Sequence, residues 1–164
     1  MLTNPKIVTR QPQPYAAIEL EVSQPEISQK APPLIGDVIK WANEHGVALA
    51  GPPFFNYTAF KPGGRMVMQV GMPTASVGKA SDGIVTGTLP GGRFASVTHT
   101  GPYHELHEAN MTLDQWAKNN GHTLDGRVDG DGFRDAHRME IYHKDPGEDP
   151  SGHPVTEVAF RLVD

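Results

Sequence analysis

Apolar and polar residues alternate with a period of two along most of this chain and switch to helical spacing in two places. Residues 6–22 read as a first strand region, interrupted by Pro12 and Pro14. Residues 23–32 are polar and proline-bearing and predict a loop. Pro33 suits the first turn of a helix, Leu34, Ile35, Val38, Ile39, Trp41 and Ala42 follow at helical spacing, and Gly46 closes it. Residues 54–60 and 65–72, split by Lys61-Pro-Gly-Gly64, predict a hairpin. Residues 84–88 and 93–99 flank a Pro90-Gly-Gly92 turn and predict further strand. Thr100-Gly-Pro102 then opens a second helix, with Tyr103, Leu106, Leu113 and Trp116 on one side and Asn119-Asn-Gly121 at its end. A polar loop over 122–135 precedes a strand at 137–146, and a last strand covers 156–163.

Laid side by side, the halves match. Trp41 falls on Trp116, His45-Gly46 near Asn120-Gly121, Tyr57 on Tyr142 and Pro62 on Pro146. Each half reads strand, helix, strand, strand. Three strands and one helix cannot close a core alone, so the halves are expected to share one. The expected fold is α+β and a single domain over 1–164. It consists of tandem repeats at about 6–73 and 84–164, joined by a linker at about 74–83. Together they form a joint antiparallel sheet with two long helices on one side and a central cleft.

Composition narrows the function classes. There are 18 glycines and 15 prolines in 164 residues, which argues against a helical bundle. The formal charge is −5 and no basic run tracks a phosphate backbone, so nucleic acid is not an expected partner. The absence of cysteine excludes disulfides, thiolate metal sites and a cysteine nucleophile. Neither a secretory signal nor a spanning apolar run is present, which reads as a cytoplasmic protein that avoids membranes.

The chemistry concentrates on the strand at 137–146. In a two-residue alternation Met139 and Ile141 point one way, and Arg138, Glu140 and Tyr142 the other. An acid on a covered face is costly unless partnered. If Tyr57 superposes on Tyr142, then Phe55 takes the place that Glu140 holds in the second half. Extending the register puts Val67 and Gln69 with Phe55 and Tyr57, and Glu157 and Ala159 with Glu140 and Tyr142. That lining, aromatic with one or two acids, suits a flat hydrophobic cation. The alternative is an ordinary ion pair of Glu140 or Glu157 with Arg138 or Arg161. Tyr103, Trp116 and Trp41 sit on apolar helix faces, as ligand walls or as core.

Thr100-Gly-Pro-Tyr103, the helix ending near Trp116, Glu140-Ile-Tyr-His-Lys-Asp-Pro146 and Thr156-Glu-Val158 resemble the GyrI-like domain, the effector-binding domain of AraC- and MerR-type regulators, over nearly the whole chain. The resemblance implies two strand-helix-strand-strand repeats around a cleft that binds hydrophobic, often cationic, small molecules. A buried Glu and aromatic residues hold them, at positions matching Glu140 and Tyr142, with Gly101, Pro102 and Tyr103 matching the family's Gly-Pro-Tyr. No helix-turn-helix segment precedes residue 6, so the chain reads as a stand-alone form with a sensing or sequestering role. The resemblance also permits hydrolysis of cyclopropane-bearing cytotoxic compounds, with Glu140 as acid or base assisted by Tyr142 or Tyr103. Inhibition of DNA gyrase is a further alternative, and haem binding through His99 or His143 a distant one.

Other motifs fail on their spacing. His104 and His107 at i and i+3 lack a third metal ligand. A calcium loop starting at Asp125 would put Arg127 at its third position and Ala136 where an acid is needed. Gly78-Lys79 is followed by Ala80 rather than Ser or Thr, and there is no Gly-x-Ser-x-Gly elbow. No metal or cofactor is expected.

Overall fold

The computed structural model describes residues 1–163; Asp164, the end of the expected second repeat, lies outside the described residues. The elements run β1 (Lys6–Arg10), β2 (Gln13–Ser23), α1 (Ile27–Lys30), α2 (Pro32–Glu44), β3 (Phe54–Lys61), β4 (Arg65–Pro73), β5 (Val85–Leu89), β6 (Gly92–Thr100), α3 (Leu106–Asn119), β7 (Arg127–Asp129), β8 (Gly132–Arg134), β9 (Arg138–Lys144) and β10 (Val155–Arg161). All the strand pairs are antiparallel, and the main sheet has the order β1-β6-β10-β9-β3-β4-β2-β5. The order is palindromic about the β9–β3 seam, with the outermost strands exchanged. β1 pairs with β6 of the second half, and β5 pairs with β2 of the first.

This exchange curls the sheet. β5 lies at one end of the order and β6 next to the other, yet only Pro90 and Gly91 join them. So short a link spans on the order of 10 Å at most, which forces the two ends of the sheet together. Gln11 and Pro12 impose the same closure between β1 and β2. The inner face is therefore sealed by Phe54, Leu89, Phe94, Met139, Ile141 and Ala159. Gly71 belongs to this face because a Cβ there would lie 2.6 Å from Cζ of Phe54.

Both long helices pack on the outer face. Val38, Trp41 and Ala42 of α2 cover Ala16 and Met72. Leu106, Ala109, Leu113 and Ala117 of α3 cover Ala95, Val97, Val158 and Phe160. Between them Phe55, Met68, Val70 and Val22 pack with Ala31, and this group forms the ground of the gap between the helices. The fold is thus the expected α+β arrangement, with an antiparallel sheet and both helices on one side.

Three segments differ from the sequence expectation. Residues 6–22 are not one strand region: the chain leaves one half of the sheet at Arg10 and enters the other at Gln13, across Pro12. Residues 23–32 hold a helical segment in place of a loop. It starts at Ser23, where Oε1 of Glu26 accepts hydrogen bonds from the Ser23 backbone N–H (2.8 Å) and hydroxyl (2.9 Å). The Ser-x-x-Glu spacing is the sequence signature of such a start. The loop at 122–135 carries the β7–β8 hairpin, which joins β3 through Phe60 and Phe133.

Candidate functional site

Residues directly opposite each other in antiparallel strands share a face. Phe55 on β3 lies opposite Glu140 on β9, Glu140 lies opposite Val158 on β10, and Phe55 lies opposite Val70 on β4. These side chains face outward, into the gap between α2 and α3. A cleft of about 990 Å³ opens there, floored by Phe55, Tyr57, Glu140 and Tyr142. Ile27 and Ile35 form one wall, and Leu106, His107, Asn110 and Met111 of α3 the other. The matched residues Phe55 and Glu140 form one of the four residue pairs that meet across the seam. Counting back from the matched tryptophans, Asn110 corresponds to Ile35, and both line the cleft. One half thus presents an acid and its amide where the other presents a phenyl ring and a branched alkyl group.

Glu140 is only 7% exposed. Its Oε1 accepts hydrogen bonds from the hydroxyls of Tyr142 (2.9 Å) and Tyr57 (3.4 Å), and its Oε2 accepts one from Nδ2 of Asn110 (3.0 Å). Every one of these donors is neutral. Among the described residues no lysine, arginine or histidine comes within ion-pair distance of it. Burial pushes its pKa above the ordinary carboxylate range, and the three hydrogen bonds offset this only in part. Burial also raises the pKa of Tyr57 and of Tyr142, and the neighbouring Glu140 charge adds to the effect, so both hydroxyls stay protonated as donors.

Aromatic rings surround this carboxylate. Tyr142 stands edge-on to Phe55 (4.9 Å between centroids) and to Tyr103 (5.9 Å). Tyr103 is 44% exposed and forms the rim, from the turn before α3. A ligand entering here would exchange water for ring faces and meet one uncompensated acid at the bottom.

Four of the residues expected at the site lie elsewhere. Glu157 pairs in register with Ile141, not with Glu140, so it points to the inner face. There it forms an ion pair with Arg10, accepts a hydrogen bond from the Ser96 hydroxyl at 2.6 Å, and lies 2.9 Å from Nε2 of His143. Burial alone would raise its pKa, but the His143, Arg10 and Ser96 hydrogen bonds outweigh it and hold the carboxyl at about 2. Gln69 lies opposite Asn56 and Glu19, also away from the cleft, with its Nε2 3.3 Å from the Tyr15 hydroxyl. Trp41 is buried beneath α2, donates to Ser81 Oγ at 3.0 Å and stacks on His45. Trp116 packs at the edge of the α3 core and stacks on His122.

The ion-pair alternative for Glu140 fails, because Arg138 is taken by Asp125. Arg138 donates from Nη1 to Oδ1 (2.6 Å) and from Nη2 to the backbone oxygen of Asp125 (2.6 Å). Asp125 also accepts from the His137 backbone N–H at 3.0 Å. Burial would raise the Asp125 pKa, but hydrogen bonds from His137 and Arg138 hold it below the usual range. Asn110, by contrast, is a site residue that the sequence reading missed. A polar residue inside α3 is ordinary until the facing strand is known to carry an acid.

No group of three or more metal-ligating side chains occurs among the described residues, and none of their helices is long and apolar enough to cross a membrane. No curated protein sequence matches this chain. Among solved structures, the crystal structure of the EcmrR C-terminal domain is similar with a TM-score of 0.77 and 21% identity, covering 98% of each chain. The EcmrR–DNA complex is similar with a TM-score of 0.76 and 20% identity; the match covers 97% of this chain, which spans 57% of the EcmrR chain. SAV2435 bound to tetraphenylphosphonium is similar with a TM-score of 0.62 and 12% identity, covering 98% of this chain and 99% of that one. At these identities the likeness establishes the fold. The sequence profile of the GyrI-like small molecule binding domain matches residues 3–163, and the chain belongs to that family.

Proposed function

We propose that this domain captures hydrophobic aromatic cations in the cleft between its helices, with Glu140 as counter-ion and Phe55, Tyr57, Tyr142 and Tyr103 as walls. The observation that carries this is the state of Glu140. It is a buried acid held by three neutral donors, at the floor of an aromatic cleft, with no cation among the described residues within ion-pair distance. A ligand cation supplies the missing charge and adds roughly 0.5–2 kcal/mol for each ring face it meets. The tetraphenylphosphonium bound to SAV2435, a protein of the same fold, is a compound of this class. Such capture suits a sensor or a sequestering protein. Hydrophobic cations are expected to raise the melting temperature, and Glu140→Gln to remove most of that rise. Equal stabilisation of the variant by the same cations would rule out the counter-ion role.

A second reading has its own support. A carboxyl whose pKa is raised by burial, with a tyrosine hydroxyl 2.9 Å away, has the parts of a general acid–base pair. A similar structure is described as a hydrolase from Listeria innocua (TM-score 0.58, 12% identity, covering 97% of this chain and 91% of that one). Under this reading Glu140 activates water, or protonates a strained electrophile such as a cyclopropane, and Tyr142 assists. Mass spectrometry of such a substrate separates the readings: turnover lost in Glu140→Gln supports the enzyme, and an unchanged substrate supports capture alone.

A further inference from the structure

Glu140 is not the only charge that the cleft presents. Arg138 lies two residues earlier on β9, on the same face, so the two Cα atoms are on the order of 7 Å apart. Its guanidinium lies near the Phe133 and Phe160 rings, 5.9 and 5.7 Å from their centroids, and lines the cleft. Its hydrogen bonds to Asp125 engage one N–H on each terminal nitrogen and leave the rest of the planar fork without a partner among the described residues.

The charge around Arg138 does not cancel. The Asp125 carboxylate is shared with Arg161, whose Nη1 lies 3.8 Å away, and with Nδ1 of His137 at 2.7 Å. Two guanidinium groups against one carboxylate leave a positive surplus, even with a neutral imidazole. The other acid that lines this end, Asp114 of α3, acts on Arg138 as well as on Lys118, which lies 2.8 Å from it, and three cations against two carboxylates still leave the sum positive. Past Tyr142 the other end of the cleft is lined by Asp145, which has no ion-pair partner among the described residues. Along β9 and into the turn after it, the cleft therefore runs from positive at Arg138, through the acid at Glu140, to negative at Asp145.

We propose that the cleft selects aromatic zwitterions, in which a flat cation lies over Glu140 and an acidic group on the same molecule is received by Arg138. This rests on the counter-ion reading of Glu140 and narrows the ligand class from hydrophobic cations in general. A cation without an acidic group meets only half of the polarity. A guanidinium fork whose planar geometry matches a carboxylate is suited to the second contact.

Rhodamine B and its ethyl ester test this, since they share one xanthylium cation and differ in whether the carboxylate is free. Binding of each dye to the wild-type protein is measured by fluorescence anisotropy at neutral pH. The free acid is expected to bind roughly tenfold more tightly than the ester, the increment of a charge-assisted hydrogen-bonded pair. The double variant Arg138→Met with Asp125→Asn removes the guanidinium and the acid it balances, and is expected to bring the ratio close to one. If circular dichroism shows the double variant unfolded, Arg138→Lys replaces it, and the acid preference should fall several-fold as the planar fork is lost. An ester that binds wild type as tightly as the acid overturns the proposal, and so does a preference that survives loss of the guanidinium. Glu140→Gln is expected to weaken both dyes together. If it leaves ester affinity intact, the counter-ion reading fails while the acid–ester comparison still decides the role of Arg138. No saturable binding of either dye overturns both.

Discussion

Replacing Glu157 by glutamine keeps the shape of a buried inner-face side chain while removing the charge that Arg10, His143 and Ser96 converge on. Its carboxyl is held at about 2, against an ordinary value of 4.5. At about 1.4 kcal/mol per pKa unit this corresponds to roughly 3 kcal/mol of folding stability at neutral pH. The side chain is only 11% exposed, so solvent screening takes little of this away. Glutamine retains part of the hydrogen bonding, so a loss of about 2–3 kcal/mol is expected, or on the order of 5–10 °C in Tm for a chain of this length. The sign fixes the pH dependence. A depressed folded-state pKa contributes stability that is fully present above about 4.5 and is lost as the pH falls towards 2. Urea denaturation of wild type and variant at pH 7 and pH 3 should therefore show the gap narrowing in acid. Cation affinity should not change, because this side chain points away from the cleft. A variant as stable as wild type at pH 7, or one that loses cation binding, would refute the assignment of Glu157 to the inner-face network.

Glu140→Gln should behave in the opposite way. The raised folded-state pKa means that the wild type loses stability as the pH rises past the ordinary carboxylate range, so the unliganded variant should gain on it between pH 5 and pH 8 in the same urea assay. Asp125→Ala leaves the buried Arg138 without its carboxylate and should cost about 3–5 kcal/mol, read as a fall in the urea midpoint. Gly71→Ala pushes a methyl group into the Phe54 ring and against the backbone oxygen of Ala16, 3.0 Å away, and should cost about 1–3 kcal/mol by thermal denaturation.

Much of the cleft floor is legible in the sequence because the seam between the halves sits on it. Matching Tyr57 with Tyr142 puts Phe55 in the place of Glu140, and the structure brings these two residues face to face. The error begins where alternation is carried through a turn. Glu157 follows Glu140 across the whole 145–154 connection and a register shift at Val155 and Thr156, and Gln69 follows Phe55 past a bulge between Tyr57 and Ala59. A single residue of slip moves a side chain to the other face of a sheet, and nothing in the local pattern reveals it. The tryptophans mislead for a different reason: they are the best-matched positions, but the match reflects helix packing against the sheet. Asn110 carries no mark in the sequence for want of a partner, and Arg138 reads as free to neutralise Glu140 because the loop that captures it through Asp125 has no periodicity to read.

On the proposed reading, the cleft recognises charge as well as shape, through Glu140. Tetraphenylphosphonium and tetraphenylborate have nearly the same size and form and opposite charges, so their dissociation constants for the wild-type protein, measured by isothermal titration calorimetry, isolate that contribution. The cation should bind at least about tenfold more tightly than the anion, as a charge-assisted contact implies, and Glu140→Gln should erase most of the difference. Equal affinity of the wild type for the two ions, or a cation preference untouched in the variant, would contradict it.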